Sequence, residues 1–219
     1  MRAVIFDLDG TLIDSAPDIH AAANRMLAEI GQEALSYDAI RGFIGNGVPV
    51  LVERIMRARG LGAEGHAALL DIFMRHYNAD PATLTRLYPN VRGVLEGLAD
   101  GGARLGLCTN KPEGPTREIL KIFDLDRLFE VVVGGDTLPV KKPDPAPLQA
   151  AAQALGRERS VYVGDSEVDA ETAARAALPF ALFTEGYRKS PVAELRFDAA
   201  FADFTDLPGI VARLAPVPA

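Results

Sequence analysis

Cysteine occurs once, as Cys108, which excludes an internal disulfide and a cysteine-rich zinc site. It ends the apolar run Leu105-Gly106-Leu107-Cys108, where a buried strand thiol is expected. Basic charge is also scarce. The 23 Lys and Arg residues face 30 Asp and Glu, giving a formal charge of −7 and a pI near 5.0. That balance argues against a nucleic-acid partner. It leaves room for a small anionic substrate, because a few local cations or a metal outweigh a screened surface field. Long hydrophobic runs are missing as well: no stretch approaches the length that spans a bilayer. The first apolar run gives way at once to acidic residues, without the features of a signal peptide. These absences predict a cytoplasmic protein with no membrane partner. What remains, 219 residues of which 48% are hydrophobic and 24% charged, suffices for one substantial core with a smaller companion.

Short apolar runs recur along the chain, each followed by a helical pattern. They are Ala3-Val4-Ile5-Phe6, Arg104 to Cys108, Val131-Val132-Val133, Val161-Tyr162-Val163 and Phe180-Ala181-Leu182-Phe183. Uninterrupted apolar strands alternating with helices predict an α/β fold, a parallel sheet covered on both faces. The spacing places helices at about 91–100, 113–123, 145–155, 168–177 and 205–214. Residues 15–82 break the alternation. Asp18 is placed to cap a helix reaching Ile30 and ended by Gly31, and further helices are expected at about 47–59 and 64–78. The sheet is expected to resume near Leu87, with Ser15 to Pro17 marking the exit and Pro81 and Pro89 the return.

The strongest chemical signal is Asp7-Leu8-Asp9-Gly10-Thr11-Leu12 at the end of the first run. Residues two apart in an extended segment face the same side, so both carboxylates address one site while Leu8 enters the core. Gly10 lets the backbone turn closely around a ligand. Carboxylates this close repel unless a cation, a proton or hydrogen bonds intervene. Solvated aspartates at an ordinary strand end are the bland alternative. Four specified residue types at about one in twenty each arise by chance in roughly one chain per thousand of this length.

Thr109-Asn110 ends the second run, Lys141-Lys142-Pro143-Asp144-Pro145 follows the third, and Gly164-Asp165-Ser166 with Asp169 follows the fourth. Thr-Asn is common turn chemistry, most lysines are solvated, and one of the aspartates could cap a helix. All of them, however, fall at the carboxyl ends of strands, where open parallel sheets bind ligands. Oxygen ligands without a His or Cys cluster favour Mg²⁺ over zinc.

In order and spacing these stretches resemble the four motifs of the haloacid dehalogenase superfamily over essentially the whole chain. Within it, Ile44-Gly45-Asn46-Gly47, Thr109-Asn110-Lys111-Pro112, Gly134-Gly135-Asp136 and Lys141-Lys142-Pro143 are most similar to the phosphoglycolate phosphatases. The resemblance implies a Rossmann-like doubly wound parallel sheet core (1–14 and 83–219) carrying an inserted all-helical cap domain (15–82). It implies Mg²⁺-dependent hydrolysis of a small phosphate monoester, 2-phosphoglycolate foremost. Asp7 would be the nucleophile and Asp9 the general acid and base. Mg²⁺ would be held by Asp7, the Asp9 carbonyl and Asp165, with Asp169 either at the metal or orienting Lys142. Thr109, Asn110 and Lys142 would bind the phosphoryl group. Arg41 and the Gly45-Asn46-Gly47 turn are candidates for the leaving-group pocket, and a monomer or homodimer is expected. Glu185 stands where such enzymes more often carry an aromatic residue, and it would place an extra carboxylate near the site. A broad-specificity phosphatase, a pyrophosphatase or a phosphosugar mutase would share these motifs, and a phosphate-receiving signalling module would share the acidic cluster. A haloacid dehalogenase would lack Asp9.

Overall fold

The computed structural model describes residues 2–156 and 160–216. Its main sheet has six strands: β1 (Ala3–Phe6), β4 (Arg104–Cys108), β5 (Phe129–Val133), β6 (Ser160–Gly164), β7 (Phe180–Phe183) and β8 (Ala199–Phe201). They lie in the order β5-β4-β1-β6-β7-β8 and every neighbouring pair is parallel. The alternation of side chains divides each strand between two cores. Val4, Phe6, Leu105, Leu107, Val161, Val163 and Phe183 face one side. Ala3, Ile5, Cys108, Tyr162, Phe180 and Leu182 face the other.

The first face is covered by α5 (Val91–Asp100), α6 (Glu113–Ile122) and α9 (Leu207–Leu214), which bring Leu95, Ile119, Leu120, Leu207 and Val211. The second is covered by α7 (Ala146–Ala154) and α8 (Glu167–Ala176), whose contribution is mostly alanine: Ala151, Ala152, Ala170, Ala173 and Ala176. Small side chains let these helices lie close to the sheet. The doubly wound parallel arrangement expected from the apolar runs is present. A sixth strand, β8, went unforeseen because Ala199-Ala200-Phe201 is too short and too poor in β-branched residues to signal itself.

Residues between β1 and α5 are predominantly helical. They comprise α1 (Ala16–Glu29), α2 (Tyr37–Arg41), α3 (Val48–Ala58) and α4 (His66–Ala79). Apolar positions of α1 recur at helical spacing, with Ala16, Ile19, Ala23, Met26 and Leu27 buried. They join Ile40, Val52, Ile55, Leu69, Phe73 and Tyr77 in a third hydrophobic cluster distinct from the two on the sheet. The three histidines are tied up locally: His20 with Leu35 O, His66 with Pro49 O and His76 with Glu29. Among the described residues no helix is long and apolar enough to cross a membrane.

Two expectations need correction. Leu87 does not continue the main sheet. It belongs to β3 (Arg86–Leu87), which pairs antiparallel with β2 (Ile13–Asp14) to make a two-residue ribbon where the chain leaves and re-enters the helical segment. Nor does Asp18 cap α1. Its buried carboxylate instead accepts hydrogen bonds from the Leu84 N–H at 3.0 Å, the Thr85 N–H at 2.7 Å and the Thr85 hydroxyl at 2.6 Å. The returning chain offered three donors, the two on Thr85 buried and in need of an acceptor, and that need outweighed a helix cap open to water.

Asp18→Ala should therefore orphan those donors and lower the unfolding free energy by roughly 2–4 kcal/mol. Urea unfolding monitored by circular dichroism would read this, and a loss below about 0.5 kcal/mol would contradict it.

Candidate active site

β1 lies at the centre of the sheet between β4 and β6, where the direction of winding reverses, and a crevice forms at the carboxyl ends. Asp7 is the first residue past β1, and its N–H donates to Val163 O at 2.9 Å. Thr109 is the first past β4, with its N–H on Val133 O at 3.0 Å. These ladder bonds extend the strands by one residue and fix both side chains at the crevice. Asp165 follows β6 directly, and Lys142 arrives on the connection after β5.

Asp7, Asp165 and Asp169 each offer a carboxylate oxygen, and these oxygens all lie within 4.8 Å of one another. Each carboxylate is held differently. Asp7 Oδ1 accepts the Leu8 N–H at 2.7 Å and lies 3.1 Å from Lys142 Nζ. Asp165 accepts from the Thr11 hydroxyl at 2.8 Å and the Tyr187 N–H at 2.6 Å. Asp169 has both oxygens engaged. Oδ1 accepts from Lys142 Nζ and the Tyr162 hydroxyl, each at 2.7 Å, and Oδ2 from the Ser166 hydroxyl at 2.6 Å and its N–H at 3.1 Å. Ser166 and Asp169 thereby form a capping box at the start of α8. The backbone closes tightly round Asp165. A Cβ on Gly10, whose φ is +85°, would lie 2.6 Å from its Oδ2, and one on Gly186 would lie 2.3 Å from its Cβ. Only glycine fits either place.

The Asp9 side chain stands outside this cluster. Its carboxylate lies 3.0 and 3.2 Å from Lys111 Nζ and accepts the Ser15 hydroxyl at 2.5 Å. Lys111 is almost fully buried and sits 4.6 Å from the centre of the Tyr77 ring, on α4.

Burial dominates the charge balance. It pushes the Asp7 carboxyl up, Lys142 pulls it back, and Asp169 and Asp9 add repulsion, leaving it raised to about 6. Burial, with repulsion from Asp169 and Asp7, drives Asp165 well above the usual carboxylate range. Asp169 escapes. Burial acts against its charge too, but the Lys142 ammonium and the bonds from Lys142, Ser166 and Tyr162 outweigh it and hold the group low. Lys142 and Lys111 likewise stay charged despite burial, the first through Asp169 and Asp7, the second through Asp9. In the second core, burial pushes the Cys108 thiol up to about 12, consistent with an inert packing residue.

Asp7 and Asp9 both line a cavity of about 50 Å³ closed over by the helical segment. Thr109, Asn110 and Lys111 complete its sheet side; Ile19, Ile44, Gly45, Val48, Leu51, Phe73 and Tyr77 form its roof. Asn110 ties the halves together, its amide donating to Gly45 O at 3.1 Å and Lys142 O at 3.0 Å. Two expected pocket residues are employed elsewhere. Arg41 donates to Gly186 O at 2.6 Å and stacks 5.2 Å from the Tyr187 ring centre, beside a separate surface depression. Asn46 accepts from Arg54 at 2.7 Å. Glu185 is exposed and accepts the Thr184 hydroxyl at 2.8 Å, so its charge is spent at the surface. Lys111, Tyr77 and Tyr162 received no role from sequence reasoning. A lysine next to Thr109-Asn110 was the one available hint, because Tyr77 and Tyr162 arrive from distant segments.

The acidic cluster fits a hard divalent cation. Its donors are all carboxylate oxygens, and two of the three carboxyls are pushed up in a way that added positive charge would reverse. Raised carboxyl pKa values favour the folded state most when the groups are protonated. That contribution is complete below the ordinary carboxylate range and is lost as pH climbs through about 6 at Asp7. A binding cation must displace these protons. The rise in melting temperature on adding excess Mg²⁺ should thus grow from about pH 5 to about pH 7.5, read by scanning calorimetry. An equal rise at both pH values would contradict this reading.

Comparison with known proteins agrees with this geometry. Residues 4–183 match the family model described as haloacid dehalogenase-like hydrolase. A phosphoglycolate phosphatase from Cereibacter sphaeroides is 55% identical over 216 residues, 98% of this chain and 99% of that protein. One from Rhodobacter capsulatus is 44% identical, covering 95% and 96%. The crystal structure of a predicted phosphoglycolate phosphatase from Haemophilus somnus 129pt superposes with a TM-score of 0.91 at 33% identity, covering 96% of this chain and 97% of that one. With its motifs at the carboxyl edge of a doubly wound sheet and relatives matching it end to end, the chain belongs to the haloacid dehalogenase-like hydrolase family.

Proposed function

We propose that this protein is a Mg²⁺-dependent phosphatase that hydrolyses 2-phosphoglycolate to glycolate and phosphate. The observation that carries the reading is the placement of two carboxylates with separate environments, Asp7 beside Lys142 and the other acids and Asp9 against Lys111, on the wall of one small cavity. The 55% identity to a phosphoglycolate phosphatase over nearly the whole of both chains supports the substrate.

Asp7 attacks phosphorus. The bond to the glycolate oxygen breaks as an aspartyl-phosphate forms, and Asp9 gives its proton to the leaving oxygen. Asp9 then takes a proton from the water that attacks the same phosphorus, which frees Asp7 and releases phosphate. The Leu8 N–H and Lys142 fix Asp7 Oδ1, so the carboxylate meets the phosphoryl group in one orientation. The Thr109 hydroxyl and the Asn110 backbone amide bind the phosphoryl oxygens, and Lys142 offsets their charge. Asp169, with both oxygens engaged, orients Lys142.

Asp7, the Asp9 carbonyl and Asp165 would hold Mg²⁺. Bound there, Mg²⁺ supplies the positive charge that lets one anion approach another. Residues 15–82 act as a cap. Their apolar roof over the cavity excludes water and limits the leaving group to something small.

Phosphate release from 2-phosphoglycolate, phosphosugars, pyrophosphate and p-nitrophenyl phosphate separates the possibilities. The expected kcat/KM for 2-phosphoglycolate is about 10²-fold above the others, equal to roughly 2.7 kcal/mol. Comparable low turnover of every ester would remove 2-phosphoglycolate from its place. Asp7→Asn should cost at least about 10³-fold in kcat. It should melt no lower than the parent, since it deletes one of three crowded buried charges. Residual activity within about tenfold of the parent would disprove the nucleophile.

A further inference from the structure

A leaving group that carries its own carboxylate needs a positive or hydrogen-bonding partner inside an otherwise apolar roof, since a buried unpaired anion is costly. Neither Arg41 nor Asn46 supplies it. Among the described residues, Lys111 is the one cation lining the cavity. Its ammonium has three donors, it is only 6% exposed, and it rests on the face of Tyr77. Tyr77 also lines the cavity and is only 2% exposed, yet its hydroxyl makes no hydrogen bond of normal geometry among the described residues and has only the nearby Lys111 ammonium to interact with. An orphaned buried hydroxyl is unusual in a folded protein and calls for an explanation. Apolar Ile19, Leu51 and Phe73 crowd the same wall, so the hydroxyl is a polar group on an otherwise apolar roof.

We propose that Lys111 and Tyr77 form a carboxylate subsite that selects phosphorylated 2-hydroxy acids among phosphate monoesters. In this structure Lys111 pairs with Asp9. On binding, the carboxylate of the substrate takes the ammonium in exchange for part of that pairing, and the Tyr77 hydroxyl donates to its other oxygen. The exchange keeps Lys111 neutralised throughout, so it costs less than stripping a lone buried charge. It also joins recognition to chemistry, because the group released from Lys111 is Asp9, the acid for the leaving oxygen. The inference rests on the phosphatase reading given above, and it adds the residues that make the cavity choose an acid over an alcohol.

The test compares kcat/KM for 2-phosphoglycolate with that for ethyl phosphate, which has the same two carbons and no carboxylate. The two enzymes to measure beside the parent are Lys111→Met and Tyr77→Phe. Lys111→Met should shrink the preference for 2-phosphoglycolate by about 10²-fold, and Lys111→Arg should restore part of it. Tyr77→Phe should shrink it by roughly tenfold, mainly through KM, while leaving the melting temperature within about 2 °C, because the hydroxyl it removes makes no hydrogen bond of normal geometry in the free protein. An unchanged preference in Tyr77→Phe, or equal losses on both esters in Lys111→Met, would overturn the subsite. Should Lys111→Met not fold, Tyr77→Phe decides alone. A parent enzyme with no preference between the two esters would instead defeat the 2-phosphoglycolate reading itself, before any variant is considered.

Discussion

Three carboxylates within 4.8 Å of one another repel, and the buried cation that holds them is Lys142 Nζ, 2.7 Å from Asp169 and 3.1 Å from Asp7. Lys142 stays charged there through Asp169 and Asp7, and Asp169 is itself held by Tyr162 and Ser166. The Tyr162 hydroxyl, whose proton points to Asp169, also lies 3.1 Å from Cys108 O, and Tyr162 stands in the middle of β6. The site's charges are therefore braced on the sheet, and a shift of any strand end would be felt by all of them. Paired buried ions rarely add net stability. Their worth here lies in position, since one ammonium determines where the attacking carboxylate points.

The surplus of negative charge that Lys142 leaves behind falls on Asp7 and Asp165, whose carboxyls are pushed up by burial and then by acidic neighbours, Asp169 and Asp9 at the first, Asp169 and Asp7 at the second. A structure selected for stability alone would have replaced one of them. Keeping both is the kind of local conflict that marks a functional site. The close packing of Gly10 and Gly186 against Asp165 fits the backbone round that carboxylate.

Much of this was legible in the sequence, for identifiable reasons. Asp7-Leu8-Asp9 could be read because a strand has a fixed period of two, which sends both acids one way whatever the rest of the chain does. Thr109, Lys142 and Asp165 could be placed because parallel strands end on the same edge. Roles that depend on what a long side chain meets could not be read. Asp18 looked like a helix cap until the returning Leu84 and Thr85 supplied better donors. Arg41 and Asn46 looked like pocket residues by proximity in sequence, yet each found a nearer partner, Gly186 and Arg54. Lys111 was within a recognised stretch, but its meaning depends on Tyr77, arriving on a helix that no local pattern could have aligned with it.

The helical segment and the sheet are joined by more than the two chain crossings. Tyr187 follows β7, yet its ring packs in the hydrophobic cluster of the helices. Its hydroxyl donates to Asp14 at 2.6 Å and accepts the Ala16 N–H at 2.9 Å, both at the exit into α1. Its backbone N–H holds Asp165, and Arg41 from α2 covers its ring while bonding the preceding carbonyl. One residue thus touches the roof, the crossing and the acidic cluster, and the glycine before it permits the approach. The carboxylate that the cluster most strains is held by the same loop that the helices grip. The closure of the roof and the geometry of the acids therefore share one support.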